Sequence, residues 1–157
     1  VPGGSPIRQP SAVTAPQTPR QPIHATTVAR LCGAEWRGLM LMGPSGSGKS
    51  DLALRLIDAG WRLVADDYSL VWASGGRLYA TSPSAIAGRI EARGLGIIRA
   101  PIRPMARIAA VIACAEPIER LPEPETHVLE GVAVPLFRLN PFAASAAVLA
   151  ARALQTL

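Results

Sequence analysis

The stretch Gly43-Pro44-Ser45-Gly46-Ser47-Gly48-Lys49-Ser50 constrains this chain more than any other, because it satisfies G-x-x-x-x-G-K-[ST] at every fixed position. The pattern has meaning only between a strand and a helix, and both flanks qualify. Gly38 to Met42 is apolar and β-prone. From Lys49 to Ala59, Leu52, Ala53, Leu56 and Ile57 recur at helical spacing, with Asp51, Arg55 and Asp58 on the opposite, solvated face and Gly60 as the stop. Glycines at such a junction let consecutive backbone N–H groups turn inward at the positive end of a helix, forming a nest for phosphate oxygens. Lys49 would set an ammonium against the outer phosphates, and Ser50 would offer a hydroxyl to Mg²⁺. Lys49 is the one lysine among 16 basic residues, so the fifteen arginines do not replace it here, as expected if a compact cation fits where a planar fork does not.

Composition sets the bounds on the rest. A chain of 157 residues is about one domain in size, and 49% hydrophobic residues with only 17% charged argue for a packed core rather than a solvating chain. No run approaches the roughly 18 apolar residues of a membrane helix, and the N-terminus lacks the apolar core of a signal peptide, so the expected setting is cytoplasmic, with no membrane partner. The net charge of +5 arises from heavy Arg usage alongside abundant Ala, which reads as compositional bias, and no nucleic-acid partner is expected. Cys32 and Cys114 stand far apart with no CxxC pair, pointing to two buried, reduced thiols.

Residues 1–22 carry six prolines among Gly, Ser, Thr and Gln with no apolar period, and are expected to be a disordered arm or a non-native remnant, leaving 23–157 as the folded domain. Strands are expected at His24 to Leu31 and Gly38 to Met42, separated by a turn around Ala34 to Trp36. After the helix come a short buried strand, Arg62 to Ala65, and a hairpin of Ser69 to Ala73 and Arg77 to Ala80. The sheet is therefore mixed. Ile90 to Ile98, interrupted by Gly94 and Gly96, reads as a bent strand or one that lets a group approach its backbone. Ala106 to Ala115 reads as a strand on the strength of Val111 and Ile112, 116–125 as a Pro-rich loop, Val132 to Leu139 as a late strand, and Pro141 to Leu154 as a closing helix.

A phosphate nest binds nucleotide, but transfer also needs a carboxylate. All four Asp residues lie between 51 and 67; Asp66 and Asp67 end an apolar strand, where ligands of open α/β sheets gather. Adjacent acids on a strand alternate in direction, so one of the two should face the phosphates, unless both merely begin a turn. Glu91 and Arg93, two apart, would share a strand face, as site residues or as an exposed ion pair. From spacing alone His24 reads as a surface or satisfied core residue, and so does His127. The run Arg89, Arg93, Arg99, Arg103 and Arg107 is either a solvated face or a cradle for an acidic partner.

Together the glycine loop, Leu63-Val64-Ala65-Asp66-Asp67 and Glu91-Ala92-Arg93-Gly94-Leu95-Gly96-Ile97-Ile98 resemble, in order, the motifs of the HPr kinase/phosphorylase catalytic domain, over about residues 23 to 142. The resemblance implies an α/β domain with a mixed sheet around a P-loop, similar to phosphoenolpyruvate carboxykinase. It also implies an ATP- and Mg²⁺-dependent enzyme that phosphorylates a serine of HPr, the phosphocarrier of the bacterial phosphotransferase system, and in many members removes that phosphate by phosphorolysis. Gly43 to Ser50 would bind the nucleotide. Asp66 would be the catalytic acid/base, Asp67 its neighbour, Arg93 a phosphate-side cation, and Ser50 with Glu91 the metal side. His24, at the start of the strand before the loop, would lie close to the catalytic aspartate and tune its proton affinity.

The chain looks like the short form found in alphaproteobacteria, without the separate N-terminal domain. The family's late Pro-Gly-Arg-Asn loop has no clean counterpart, its place being taken by Val134 to Pro141. The resemblance thus carries the kinase direction further than it carries phosphorolysis or a homo-oligomer. The competing readings are a nucleotide-binding switch that transfers nothing and a small-molecule kinase.

Overall fold

The computed structural model describes residues 22–115 and 117–157. The arm expected over 1–22 lies, apart from Pro22, outside the described residues. In chain order the strands are β1 (Ile23–Cys32), β2 (Glu35–Met42), β3 (Arg62–Ala65), β4 (Tyr68–Ser74), β5 (Arg77–Thr81), β6 (Arg89–Ala92), β7 (Gly96–Arg99), β8 (Met105–Cys114), β9 (Glu125–Leu129) and β10 (Val132–Leu139). The helices are α1 (Lys49–Asp58), after β2, and α2 (Ala146–Gln155), at the end.

β1 and β2 form a long antiparallel pair; β8 runs parallel to β2, and β10 parallel to β8. β4 and β5 are an antiparallel hairpin joining the start of β1 to the start of β8, so the mixed sheet curls back on itself. Period-two alternation sends successive residues of the central strands to two cores. Val28, Leu39, Leu41 and Ile112 pack with α1 and α2, whereas Ala29, Met40 and Val111 face the curled interior with Val71 and Leu78. The register between β2 and β8 slips at Ala109, the residue left over between the pairs Gly38–Ile108 and Leu39–Ala110. That bulge puts Ala109 and Ala110 on the helix side and lets the alternation resume in step.

Three expectations are corrected. Ile90 to Ile98 is not one bent strand but the separate hairpin β6–β7, turned by Arg93-Gly94-Leu95 with Gly94 at φ 93°. Glu91 is on that hairpin's first strand and Arg93 is in its turn, so they do not share a strand face. The last helix begins at Ala146 rather than Pro141, because the Arg55 guanidinium takes the Pro141 and Ala143 carbonyls and Asn140 Oδ1 accepts the Phe142 N–H at 2.9 Å. Lastly, β9, which holds His127, is a strand that sequence reading missed. It is a short, mostly exposed edge paired, among the described residues, only with β10, with too few apolar residues to show a period. Among the described residues no helix is long and apolar enough to cross a membrane.

Candidate active site

The glycine loop joins the carboxyl end of β2 to the first turn of α1, whose leading N–H groups have no partner within the helix. Gly48 occupies the N-cap at φ 97°, and no side chain caps it. A Cβ there would stand 3.1 Å from Pro141 and 3.2 Å from the Phe142 ring, so both backbone conformation and space demand glycine. Lys49 is 5% exposed, and its Nζ donates to the carbonyls of Gly43 (2.7 Å) and Pro44 (3.1 Å). Ser47 Oγ is buried and has no hydrogen-bond partner among the described residues. A capless helix start, an orphaned hydroxyl and a buried ammonium satisfied only by loop carbonyls form a cradle that suits an anion with several acceptor oxygens.

Two acids meet this cradle differently. Asp66, 7% exposed, accepts hydrogen bonds from Ser50 Oγ (2.7 Å) and Thr26 Oγ1 (3.0 Å) on Oδ1 and from the Glu91 N–H (3.1 Å) on Oδ2. Asp67 has its side chain 56% exposed, and its Oδ1 lies 2.8 Å from His24 Nε2. The sequence reading puts His24 beside Asp66; the structure puts it beside Asp67. The alternation expected of the two acids also fails, because β3 stops at Ala65. Asp67 adopts φ 62° at the centre of a three-residue turn closed by the Tyr68 N–H on the Asp66 carbonyl at 2.6 Å. That left-handed conformation is strained for a residue with a side chain, and such strain collects at functional sites. It brings both carboxyl groups to the mouth of the loop.

Thr26 was not singled out in the sequence, yet it holds both acids: its hydroxyl donates to Asp66 and accepts the Asp67 N–H at 3.1 Å. The signal was available, since His24 and Thr26 are two apart on one strand face, leading to Asp67 and Asp66 in turn. Thr27 and Ser69 close a second buried pair at 2.8 Å, with Ser69 Oγ donating on to the Ala25 carbonyl. Behind the loop, burial pushes the Cys114 thiol up to about 11, against the weaker opposing pull of Lys49.

A cavity of about 480 Å³ opens in front of the loop, and Lys49, Ser50, Asp67, Glu91, Arg93 and Phe142 are among its lining residues. Of the arginine run, only Arg93 lines it. Arg103 lies over the Trp36 ring at 5.1 Å, and Arg107 is paired with Glu35, so those two are structural. His127 is on β9, away from this lining.

Among the described residues no three His, Cys, Asp or Glu side chains cluster closely enough to hold a metal by themselves. One carboxylate beside one serine hydroxyl instead suits Mg²⁺, which keeps waters and shares its shell with phosphate oxygens. The residues present thus fit a magnesium polyphosphate: Lys49 and the loop amides for the phosphates, Ser50 and Asp66 for the metal.

A family model described as the HPr Serine kinase C-terminal domain matches residues 19–111, more than half of the chain. Relatives named HPr kinase/phosphorylase include those of Clostridium tetani, 48% identical over 64 residues, and Clostridium kluyveri, 52% identical over 61 residues. These stretches cover 41% and 39% of this chain, and they span only 21% and 20% of the relatives. The structure of the Hpr(Ser) kinase/phosphatase from Coxiella burnetii superposes with a TM-score of 0.68 at 25% identity, covering 88% of this chain and 100% of that one.

Proposed function

Because the chain belongs to the family of the HPr serine kinase C-terminal domain, we propose that it is an ATP- and Mg²⁺-dependent kinase that phosphorylates a serine of HPr in the cytoplasm. In this reading the glycine loop is a phosphate loop in a mixed sheet of the phosphoenolpyruvate carboxykinase kind, and residues 23–157 are the catalytic unit. The observation that carries it is the division of labour between the adjacent acids: Asp66 buried on Ser50, Asp67 open to solvent on His24.

Lys49 and the loop amides would hold the triphosphate, and Ser50 and Asp66 would hold Mg²⁺, with Glu91 on the metal side and Arg93 on the phosphate side. Bound there, Mg²⁺ neutralises phosphate charge. Asp66 has its oxygens engaged by neutral donors and little access to solvent, so an incoming seryl hydroxyl meets Asp67 instead. Asp67 accepts the seryl proton, and the imidazole of His24 fixes the carboxylate and spreads the charge change. With inorganic phosphate and phosphoserine, the same pair would return the proton, which is the phosphorolytic direction. A switch that only binds nucleotide has no use for a strained, exposed acid paired to a histidine, and this favours transfer.

Incubation with labelled ATP, Mg²⁺ and HPr should label HPr, while an HPr whose acceptor serine is replaced by alanine should stay unlabelled. Nucleotide binding without any transfer would leave the switch. Label on a small molecule with HPr untouched would leave the small-molecule kinase.

A further inference from the structure

Beyond the phosphate site, the structure holds a second concavity. We propose that the groove lined by Pro117, Ile118, Leu139, Asn140, Ala143 and Leu149 is the seat of a purine base whose phosphates lie in the glycine loop. The proposal rests on reading that loop as a triphosphate site.

Topology carries the first part of the argument. β2, β8 and β10 are parallel neighbours that end side by side, at Met42, Cys114 and Leu139, and the Ala115 N–H donates to the Leu139 carbonyl at 3.0 Å, tying the last two ends together. Ligands of such sheets bind in the crevice beyond the carboxyl ends. The segment after β2 is the glycine loop; those after β8 and β10 supply Pro117, Ile118 and Asn140 to the groove.

The two concavities also share a wall. Asn140 and Ala143 line the groove, Phe142 between them lines the loop cavity, and Pro141 and Phe142 abut Gly48. One molecule can therefore occupy both by passing over residues 141 and 142. Arg55 holds that wall in place through the Pro141 and Ala143 carbonyls, so it is set before a ligand arrives.

The lining matches a base in size and chemistry. The groove measures about 660 Å³, and its walls are apolar apart from the Asn140 amide. Asn140 Oδ1 already accepts the Phe142 N–H, which orients the amide and leaves its NH₂ group as the donor for a ring-nitrogen acceptor on the base.

Calorimetric titration of Mg²⁺-ATP and of Mg²⁺-tripolyphosphate separates the two claims, because only ATP carries a base. The parent should bind ATP at least about 10-fold more tightly than tripolyphosphate. Leu149→Trp, which fills the groove, and Ile118→Glu, which makes it polar from an exposed position, should each bring that ratio to within about 2-fold with tripolyphosphate affinity unchanged. Equal affinity of the parent for the two ligands, or a full ratio in both variants, overturns the base site and leaves the loop reading intact. Absence of binding by either ligand removes both. A full ratio in Leu149→Trp together with loss of a self-association seen in the parent overturns the proposal and assigns the groove to a second copy of the chain.

Discussion

At the amino end of β2, Glu35 accepts two hydrogen bonds from Arg107, at 2.6 and 3.2 Å, and one from Arg37 at 3.4 Å, with Arg77 at 3.9 Å. Where β2 delivers its other end, Asp66 receives, among the described residues, a serine, a threonine and a backbone N–H, and Asp67 receives a histidine. One carboxylate is saturated by full cations in fixed forks; the others are held in place by hydroxyls, a backbone N–H and an imidazole. A saturated carboxylate ties strands together and has nothing left to offer a ligand. In the proposed reading the pair at the loop keeps its charge for a metal and a proton, while Lys49 is bonded to carbonyls of the loop.

The largest effects should come from breaking the division between the two loop-side acids. Asp67→Asn keeps a side chain that tolerates positive φ while removing the base, and should lower transfer to HPr by about 10²- to 10⁴-fold with ATP binding retained. Asp66→Asn should instead raise the Mg²⁺ concentration needed for half-maximal rate. Steady-state kinetics over a Mg²⁺ series distinguishes them. A severe Asp66→Asn with an unchanged Mg²⁺ requirement, beside a mild Asp67→Asn, would return the proton to Asp66 and dissolve the contrast between the two acids.

Next in size is Thr26→Val. It keeps the β-branched shape but strips one donor from buried Asp66 and the acceptor from the Asp67 N–H. Leaving such groups unpaired costs about 1–3 kcal/mol in stability, read by denaturant unfolding. A variant as stable as the parent would mean that water replaces the hydroxyl easily and that the site is less dry than its burial implies.

These residues also mark where sequence reasoning worked and where it stopped. The glycine motif located its own strand and helix because its chemistry needs both, apolar β-prone runs placed β1, β2 and the β4–β5 hairpin, and Val111 and Ile112 placed β8. The mixed sheet followed from that hairpin. Neighbour relations set by distant segments were not legible. A pair of adjacent acids says nothing of a left-handed turn at Asp67, so the exchange of partners between Asp66 and Asp67 could be seen only in three dimensions. Gly94 and Gly96 signalled a break without saying whether the chain bends or reverses. A proline looked like a helix start at Pro141, but Arg55, 86 positions away in sequence, competes for the carbonyl such a helix would use.

The smallest predicted effect tests the saturated end, and its pH dependence shows whether charge holds it. Hydrogen bonding to Arg107, with Coulombic attraction to Arg107 and Arg37, holds the Glu35 carboxyl below its ordinary value of 4.5. A carboxylate whose pKa falls on folding stabilises the fold above its unfolded pKa, and that contribution fades as pH drops through the folded value. Glu35→Gln should therefore be less stable than the parent at pH 7. The cluster is partly exposed and screened by water and salt, so the difference should be only about 0.5–1 kcal/mol. It should shrink as pH falls below about 4.5, and also in about 1 M salt. Cys114, at the loop end, has the opposite sense: its thiol is raised by burial, so its contribution is complete below 9.0 and is lost as pH climbs toward about 11. Unfolding free energies of parent and Glu35→Gln measured from pH 3 to pH 8 decide the matter. Curves that stay parallel through acid would show that the cluster works by packing of the arginine stems rather than by charge, and the contrast between the two ends would then rest on the loop-side acids alone.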